Sequence, residues 1–508
     1  MLLHEVVQFA ALGVPDELAL VSDERTWTFG ELWHDIVAMA SRLAVLAAPG
    51  ERVAVICDNR AEVLIIQYAA PLAGIVAMFA NTRLIASEIA ELIADVEPTA
   101  LLGSGEQLDR LVDFAAAMPS VRDHIAFEES AFEDLTLAGV VVGEALPHRA
   151  LEGDAAWIIH TSGTTGRAKG AVLTHRSILG AALNTAMCRP TAHDEVYLFP
   201  FPLFHIAAYN VVHLHLRRRP VVLVARFDPV EVMRGIERHR VTSVSLAPTM
   251  IAMLLNHPDR SCFDLSSLRH VFYGASAIPM DVLRRGIAEL DCDFGQGYGM
   301  TELSGNAVFL DAAAHRRAVD DGPHLLRAAG RPGPMVAIRL VDDELRDVEV
   351  GAPGEIVVRG DQVIDRYWNR PDETAAARTP DGWFRTGDIG RVDDEGFLYL
   401  VDRRKDIIVT GGENVASREV EDVVAQHPHV AEVAVVAAPH DQWGEQVVAV
   451  VVAGDAAADA DEIREWTRGR LAGFKRPRVV IIVESLPLNA SGKVVKAELR
   501  ALVAAMLA

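Results

Sequence analysis

Cysteine is scarce in this chain, with Cys57, Cys188, Cys262 and Cys292 as its four copies among 508 residues. The four lie far apart in sequence and show none of the paired spacings typical of zinc ligands. A chain this poor in cysteine is not a disulfide-stapled secreted domain, and it needs no oxidising compartment in order to fold. The sequence therefore predicts a protein of the reducing cytoplasm.

Positive charge is also in short supply, since 48 Lys and Arg stand against 71 Asp and Glu and the net charge is −23. A protein this acidic is repelled by phosphate backbones, so we expect no nucleic-acid partner. The apolar N-terminus carries Glu5 and lacks the basic residues of a signal peptide, which favours an opening helix. The uncharged run Val63–Ala80 is interrupted by Gln67, Pro71 and Gly74, so we expect a helix and a strand rather than an integral membrane segment.

The chain has no internal repeat or low-complexity tract, and its length predicts two or more domains. Strand-like and helical patterns alternate in the first part, which predicts an α/β fold with two sheet subdomains. Residues 330–400 read as strands and turns, and so as a small β-barrel or antiparallel subdomain. Five consecutive charged residues, 402–406, mark a hinge. We therefore assign residues 1–401 to a large N-terminal domain and residues 407–508 to a small, mobile α+β C-terminal domain.

The segment from Thr161 to Gly170 has the chemistry of a phosphate-binding loop. Glycine lets backbone amides approach an anion closely, hydroxyls donate hydrogen bonds, and Lys169 adds a positive charge. It is not a Walker A loop, because Lys169 is followed by Gly170 and the segment lies between two apolar, strand-like runs. A flexible hairpin turn is the alternative interpretation, but a plain turn rarely gathers so many of these groups. The candidate anion-binding residues are Thr161, Ser162, Gly163, Thr164, Thr165, Gly166 and Lys169.

Further short motifs follow downstream. The aromatic, proline-stiffened run ending in Pro202–His205 carries a single imidazole, which by itself is more often a packed core residue. The small residues Gly274–Ser276 let a flat ring lie against the backbone. In Tyr298–Glu302 a tyrosine face can stack on adenine, and the glutamate is an oxygen ligand suited to Mg²⁺. The aspartate that ends Gly382–Asp388 can accept two hydrogen bonds from a ribose diol, although an ordinary solvent-facing turn is the alternative.

Together these motifs resemble the signature of the adenylate-forming superfamily, which includes acyl- and aryl-CoA synthetases, nonribosomal adenylation domains and beetle luciferases. The segment Thr161–Gly170 is similar to the family's T-S-G-T-T-G-x-P-K-G and departs from it at Ala168, where proline is usual. Loss of the proline should loosen the free loop, but it removes no hydrogen-bond donor. The segments Asp402–Glu419 and Pro487–Lys493 extend the resemblance over most of the chain in the family's order.

The resemblance implies that the protein activates a carboxylic acid with ATP, forming an acyl adenylate and releasing pyrophosphate. It assigns catalytic roles to Lys493, which bridges the carboxylate and the α-phosphate, and to His205, Glu302 and Thr161. Glu302 is also the implied Mg²⁺ ligand. The residues implied to bind ATP or AMP are those of the phosphate loop together with Gly274, Ala275, Ser276, Tyr298, Gly299, Thr301, Asp388 and Arg403.

The resemblance also implies a second step, in which coenzyme A accepts the acyl group. CoA carries a 3′-phosphate and a diphosphate, for which arginine offers bidentate contacts. Between the two steps the C-terminal domain is expected to rotate about Lys405, so that the Gly412 segment replaces Lys493 at the active site. The implied CoA-contacting residues are Arg83, Gly412, Trp443, Phe474, Arg476 and Arg478.

The sequence leaves the identity of the acid open. Segments 205–210, 274–278 and 301–306 should line its pocket, and they are small and apolar with few charges. This favours a fatty, alicyclic, aryl or steroid-derived monoacid over an amino acid, whose ammonium group would need a buried carboxylate. The alternatives are an enzyme that loads a carrier protein, for which no fused carrier domain follows Ala508, a luciferase-like oxygenase, and a non-catalytic nucleotide-binding relative. A homodimer is compatible with the sequence.

Overall fold

The computed structural model describes residues 1–22, 25–128, 150–161, 168–189, 191–274, 276, 278–320, 322–411, 413–454, 458–488 and 494–507. The chain divides into two units, of which the first consists of Met1–Ile338 and Val358–Phe384, and the second of Arg339–Val357 and Arg385–Ala508. Residues 339–357 and 385–401, which the sequence assigns to the large domain, group with the second unit in this division. The hinge at 402–406 stays a prediction.

The strands and helices of the described residues are numbered separately in chain order. The strands are β1 (Leu18–Ser22), β2 (Arg25–Thr28), β3 (Arg52–Ile56), β4 (Val76–Phe79), β5 (Ala100–Gly103), β6 (Asp123–Ala126), β7 (Ala155–Thr161), β8 (Lys169–Thr174), β9 (Tyr197–Phe199), β10 (Val221–Leu223), β11 (Ser243–Leu246), β12 (His270–Gly274), β13 (Asp293–Met300), β14 (Gly305–Leu310), β15 (Arg331–Pro332), β16 (Val336–Val341), β17 (Gly354–Gly360), β18 (Arg366–Tyr367), β19 (Phe384–Val392), β20 (Leu398–Arg403), β21 (Ile408–Thr410), β22 (Glu413–Val415), β23 (Val430–His440), β24 (Gly444–Ala453) and β25 (Val479–Val483). The helices are α1 (Glu5–Gly13), α2 (Phe29–Leu46), α3 (Ala61–Leu72), α4 (Ala86–Val96), α5 (Gly105–Asp109), α6 (His175–Cys188), α7 (Tyr209–Leu216), α8 (Pro229–His239), α9 (Pro248–Asn256), α10 (Met280–Glu289), α11 (Ala312–Asp320), α12 (Pro371–Ala376), α13 (Ser417–Val424), α14 (Ala460–Trp466) and α15 (Lys496–Leu507).

Within the described residues, the first unit is built on two sheets. One has nine strands in the order β15-β14-β13-β12-β11-β9-β10-β1-β2, and the other has seven in the order β18-β8-β7-β4-β3-β5-β6. Both contain parallel and antiparallel pairs; for example, β4 and β7 are parallel, whereas β7 and β8 are antiparallel. Helices such as α2, whose Leu32, Ile36 and Leu43 are fully buried, pack against them. The alternating sequence pattern therefore correctly predicts an α/β fold.

Local signals in the sequence are confirmed at two points, of which the first is Thr28, since a threonine before the apolar run 29–46 predicts a helix N-cap. Thr28 begins α2, where its Oγ1 accepts a hydrogen bond from the Glu31 amide at 3.2 Å while the Glu31 carboxylate accepts one from the Thr28 amide at 2.8 Å. This reciprocal pair satisfies two backbone donors that a helix start would otherwise leave open. The apolar run Val63–Ala80 divides into α3 and β4, as predicted. No helix among the described residues is long and apolar enough to cross a membrane.

Parallel pairing brings the predicted functional segments to shared sheet edges. β4 and β7 are parallel neighbours, so the loop containing Arg83 and the segment after Thr161 leave the seven-stranded sheet at one edge. β12 and β13 are also parallel, with Gly274 opposite Gly297, so the small-residue segment and the Tyr298–Glu302 motif leave the nine-stranded sheet side by side. Carboxyl ends of parallel strands are the usual place for ligands in such sheets.

The second unit contains most of one sheet and the whole of another. The strand-rich stretch predicted as a barrel-like or antiparallel subdomain forms a four-stranded sheet in the order β16-β17-β19-β20. The other sheet has the order β22-β21-β24-β23, with β25 parallel beside β24. β24 is buried on both faces, because Val447 and Ala449 pack with residues of α13 whereas Val448 and Val450 pack with residues of α15. This helix–sheet–helix core confirms the α+β organisation predicted after residue 407.

Candidate active site

The predicted phosphate loop connects two antiparallel strands. β7 and β8 pair with Thr161 opposite Lys169 and His160 opposite Gly170. This arrangement agrees with the rejection of a Walker A loop, which requires a helix after its glycines. Burial lowers the pKa of His160 to about 4, so the imidazole beside the loop is neutral. The remaining predicted loop residues, Ser162, Gly163, Thr164, Thr165 and Gly166, lie outside the described residues, and their roles stay predictions.

Lys169 and Glu302 are connected through Tyr367. The Lys169 ammonium lies 5.2 Å from the centre of the Tyr367 ring, within the range of a cation–π contact. The Tyr367 hydroxyl donates a hydrogen bond to Glu302 Oε1 at 3.0 Å. Burial, with a smaller contribution from the Glu302 carboxylate, raises the pKa of Tyr367 well above its ordinary value, so the hydroxyl keeps its proton and remains the donor. The structure thus joins the predicted phosphate-binding lysine to the predicted magnesium ligand.

A buried amide network holds the turn 301–306, which carries Glu302. Gln362 Nε2 donates hydrogen bonds to two carbonyl oxygens of this turn, at 2.9 Å and 3.1 Å. Gln362 Oε1 accepts from Asn184 Nδ2 at 2.9 Å, and Asn184 Oδ1 accepts from the Met335 amide at 3.1 Å. Since the Asn184 and Gln362 side chains are both buried and paired, the network fixes the turn relative to α6.

Replacing Asn184 by alanine should lower the free energy of unfolding by about 2–4 kcal/mol, because the change leaves the buried Gln362 Oε1 and the Met335 amide without their partners and opens a cavity. Urea denaturation measures the loss. A matched control is Asn256→Ala, whose amide oxygen accepts a hydrogen bond from Arg285 at an exposed site and whose loss should cost less than about 0.5 kcal/mol. Equal effects of the two substitutions would contradict the role of the network.

Close backbone packing defines the strand ends that carry the predicted adenine-binding residues. A Cβ on Gly274 would lie 2.6 Å from the Gly297 carbonyl oxygen, and a Cβ on Gly299 would lie 2.0 Å from the Gly305 carbonyl oxygen. Any larger residue would therefore force these strands apart. Tyr298 lies between the two contacts and is 8% exposed.

Other predicted residues of the first unit lie at the ends of elements. His205 directly precedes the 3₁₀ turn Ile206–Ala208 and is half-buried, at the entrance to α7. Arg83 is exposed in the loop after β4. Of the remaining positions, Thr301 begins the 3₁₀ turn Thr301–Leu303, Ser276 is exposed, and Ala275 lies outside the described residues.

In the second unit, the two predicted ribose-binding residues form an ion pair. Asp388 and Arg403 face each other across β19 and β20, with Arg403 Nε 2.8 Å from Asp388 Oδ1. The Asp388 side chain is 10% exposed, so the pair is shielded on the carboxylate side. The Asp388 amide also donates to Thr386 Oγ1 at 3.1 Å, which fixes the strand at this point.

Charged residues on either side of Lys405 are bonded to different parts of the second unit. Arg404 forms an ion pair with Glu355 at 2.7 Å, and Asp406 forms one with Arg500 at 2.5 Å. Burial lowers the pKa of Lys405 below its ordinary value. Lys405, the predicted pivot, is thus a partly desolvated lysine that follows an arginine and precedes an aspartate, each held in an ion pair.

Two of the predicted CoA-contacting residues, Trp443 and Arg478, come together in the second unit. The Gly411 amide donates to the Trp443 carbonyl at 2.8 Å, and a Cβ on Gly411 would lie 2.7 Å from Trp443 Cε3. The Arg478 guanidinium lies 4.8 Å from the centre of the Trp443 ring. Phe474 is 39% exposed and Arg476 is half-buried. Gly412 and Lys493 lie outside the described residues, so their roles stay predictions.

The sequence reasoning missed the residues that support the site. Tyr367 precedes a Trp in a stretch with no glycine-rich signature, and its register opposite Ala171 follows from pairing between β18 and β8. Asn184 and Gln362 lie 178 residues apart, so no local pattern could join them.

Comparison with known proteins identifies this arrangement. The family described as AMP-binding enzyme matches residues 7–368, and the AMP-binding enzyme C-terminal domain matches residues 419–493. Feruloyl-CoA synthase of an Amycolatopsis species is 36% identical over 93% of each chain. A methyl-dioxo-octahydro-indenyl propanoyl:CoA ligase of Mycobacterium tuberculosis is 35% identical over 96% of each. The fatty acid–acyl-carrier-protein ligase ScoC of Streptomyces coeruleorubidus is 33% identical over 98% of this chain and 96% of its own.

A solved structure agrees. O-succinylbenzoate CoA synthetase of Bacillus subtilis, in complex with ATP and magnesium, has a TM-score of 0.85 and 30% identity, covering 97% of this chain and 98% of its own. Fold and site therefore define an adenylate-forming enzyme. The chain belongs to the AMP-binding enzyme family and is an AMP-forming acyl-CoA synthetase.

Proposed function

We propose that this enzyme joins a carboxylic monoacid to coenzyme A in two steps at one site. The carboxylate first attacks the α-phosphorus of ATP, giving acyl-AMP and pyrophosphate. The thiol of CoA then attacks the acyl carbon and displaces AMP, giving the thioester. The observation that carries the proposal is the connection of Lys169 to Glu302 through Tyr367, because it sets a cation and a carboxylate beside the start of β8, which follows the predicted phosphate loop.

In the first step two anions must meet, so the barrier is largely electrostatic and positional. Lys169 and the loop amides would hold the outgoing phosphates. Lys493 would bridge the carboxylate and the α-phosphate, and His205 would border the carboxylate. Asp388 and Arg403 would hold the ribose, which requires the Asp388 carboxylate to share its present partner with the diol.

Glu302 is well suited to be a magnesium ligand. Its side chain is 7% exposed and one carboxylate oxygen accepts a hydrogen bond from Tyr367, which fixes its orientation. Among the described residues no group of three or more His, Cys, Asp or Glu could hold a metal, and Mg²⁺ usually takes one or two carboxylates with substrate phosphates and water. When bound, the ion would spread the negative charge of the phosphates.

Tyr367 acts as a positioning residue in this proposal, so replacing it by phenylalanine should weaken Mg²⁺-dependent ATP binding by about 10-fold. Calorimetric titration of the protein with ATP at several Mg²⁺ concentrations measures this directly. Tyr399→Phe removes a similar hydrogen bond, from Tyr399 to Asp393 Oδ2 at 3.0 Å, at a position with no proposed role in ATP binding. If both variants bound ATP like the parent, Tyr367 would have no part in the site.

Coenzyme A is the proposed acceptor, supported by the juxtaposition of Gly411, Trp443 and Arg478. This arrangement offers a glycine that lets the backbone be approached closely, an aromatic face and a cation, which suit a thiol arm attached to a phosphorylated nucleotide. A carrier protein is the second candidate acceptor, favoured by the similarity to ScoC.

The proposed substrate is a fatty, alicyclic, aryl or steroid-derived monoacid, since the pocket-lining segments carry few charges. We also propose that the enzyme works in the cytoplasm, which agrees with its four free cysteines.

The deciding experiment incubates the protein with ATP, Mg²⁺ and a panel of such acids, with and without CoA. The proposal expects pyrophosphate and AMP to form and acyl-CoA to appear by mass spectrometry when CoA is present. Adenylate that is transferred to an added carrier protein but not to CoA would favour the second candidate. Failure of every acid to release pyrophosphate would reject both.

A further inference from the structure

A buried polar cluster lies in the first unit among residues that the proposed chemistry does not use. It consists of Arg189, directly after α6, together with Glu195, Tyr197 and His213. Their exposed fractions are 6%, 4%, 0% and 1%, respectively. A guanidinium this deeply buried is rare in proteins unless it is paired.

Several polar atoms of this cluster have no hydrogen-bond partner among the described residues. Arg189 Nη1 donates to Asn210 Oδ1 at 2.8 Å, whereas Arg189 Nε and Nη2 find no acceptor there. Glu195 Oε2 and both ring nitrogens of His213 likewise have no hydrogen-bond partner among the described residues. Each such buried group destabilises the folded protein unless it is paired. Several of them together indicate a place where a ligand or water supplies the missing contacts.

The protonation states in the cluster favour donation to an incoming oxygen. Arginine remains charged when buried, and the Arg189 guanidinium stacks on Phe272 with its central carbon 3.4 Å from the ring centre. Burial lowers the pKa of His213 well below its ordinary value, so the imidazole is neutral and carries one N–H donor. Burial raises the pKa of Tyr197 to about 12, so its hydroxyl is also protonated.

The cluster adjoins the predicted acid pocket. Asn210, the partner of Arg189, ends the segment 205–210, which begins at His205, and Phe272 lies two residues before Gly274. The rise of a 3₁₀ and an α turn places Asn210 about 8 Å along the chain axis from His205. An acid about 8 Å long whose carboxylate lies beside His205 would therefore reach the level of Asn210 and Arg189 with its far end.

The charges of the cluster decide which oxygen fits. Besides burial, the Arg189 guanidinium acts to lower the pKa of both Tyr197 and His270, whereas the Glu195 carboxylate acts to raise both. The arginine therefore has a counter-charge nearby. A second carboxylate on the substrate would leave an uncompensated buried negative charge. A neutral carbonyl or hydroxyl oxygen would accept hydrogen bonds from Arg189 without that penalty.

We propose that Arg189, with His213 and Tyr197, forms a polar subsite that binds a neutral carbonyl or hydroxyl oxygen at the end of the substrate far from the reacting carboxylate. The inference rests on the proposed function and narrows its substrate class. The preferred acid carries such an oxygen about 8 Å from its carboxyl group, on an otherwise apolar frame.

The test compares acids of matched shape in pyrophosphate release: para-hydroxyphenylpropanoic with phenylpropanoic acid, and oxocyclohexylpropanoic with cyclohexylpropanoic acid. In the parent enzyme, kcat/KM should be about 10-fold or more higher for the oxygen-bearing acid of at least one pair. The reason is that an acid without this oxygen leaves the buried donors of the enzyme unpaired. Arg189→Met should reduce this preference to about one. Arg234→Met, at an exposed position of α8, should retain it.

A variant less disruptive to folding is Tyr197→Phe, which removes one buried oxygen and should lower the preference about 3-fold. Equal rates for both members of each pair in the parent enzyme would overturn the subsite, as would an unchanged preference in both variants. Failure of the proposed function looks different, because no acid of either pair would then release pyrophosphate. In that case the subsite is judged by the acid-induced rise in Tm, which should still be larger for the oxygen-bearing acids in the parent and not in Tyr197→Phe.

Discussion

Replacing Lys493 by alanine should slow adenylate formation by about 10³-fold or more, whereas thioester formation from supplied acyl-AMP should stay within about 3-fold of the parent. The reason is the charge of the first step. The attacking carboxylate and the α-phosphate repel each other, and an ammonium between them lowers the barrier most where the new bond is forming. In the second step a thiol displaces AMP from a neutral acyl carbon, so that cation is no longer required.

The two half-reactions are measured separately, by pyrophosphate release with ATP and acid and by acyl-CoA formation from synthetic acyl-AMP. A matched control is Lys496→Ala, three positions along the chain, where the ammonium lies 2.8 Å from Glu421 Oε1. Its loss should reduce stability and leave the ratio of the two rates unchanged. Equal losses of both half-reactions in Lys493→Ala would contradict the division of labour.

The opposite pattern is expected for Gly411→Ala, which should reduce thioester formation by about 10²-fold while adenylate formation stays near the parent rate. Gly411 has a φ of +61°, and the added Cβ would lie 2.7 Å from Trp443 Cε3. The indole must then move, and with it the face on which Arg478 stacks at 4.8 Å. One added carbon atom would thus distort the proposed CoA-binding surface of Trp443 and Arg478.

Gly469→Ala separates this collision from backbone strain. Gly469 has a φ of +77°, but a Cβ there would meet nothing within 4 Å. Both substitutions therefore carry the penalty of a left-handed residue, about 1 kcal/mol, and Gly411→Ala alone displaces the tryptophan. If Gly469→Ala slowed the thioester step as much as Gly411→Ala, the loss would reflect general destabilisation of the unit.

Much of the fold could be predicted from the sequence because its signals are local. Alternating apolar runs, the Thr28 cap and the break in Val63–Ala80 each depend on residues close together in the chain, and each is confirmed. The unit boundary is different. Residues 339–357 and 385–401 pair with each other as strands across an excursion of the chain, so their grouping depends on contacts that no local pattern contains.

The candidate site divides in the same way. Motif residues such as Lys169 and Glu302 are recognisable because their chemistry is tied to short spacings. Tyr367, which joins them, and Arg189, which is charged yet buried, have no such spacing, and their roles follow from tertiary contacts alone. A sequence on its own presents Arg189 as one more surface cation, since most arginines are exposed.

The ion pairs around Lys405 have an energetic consequence for any swivelling at that residue. Arg404 is tied to Glu355, which precedes it in the chain, and Asp406 is tied to Arg500, which follows it. A change of backbone torsion at Lys405 would carry each pair along intact, so neither salt bridge opposes the movement. Ser417, however, donates two hydrogen bonds to Asp402 Oδ2 across Lys405, from its amide and from its hydroxyl. A rotation would break them, so the bound nucleotide or thiol must offset their loss to decide which end state is populated.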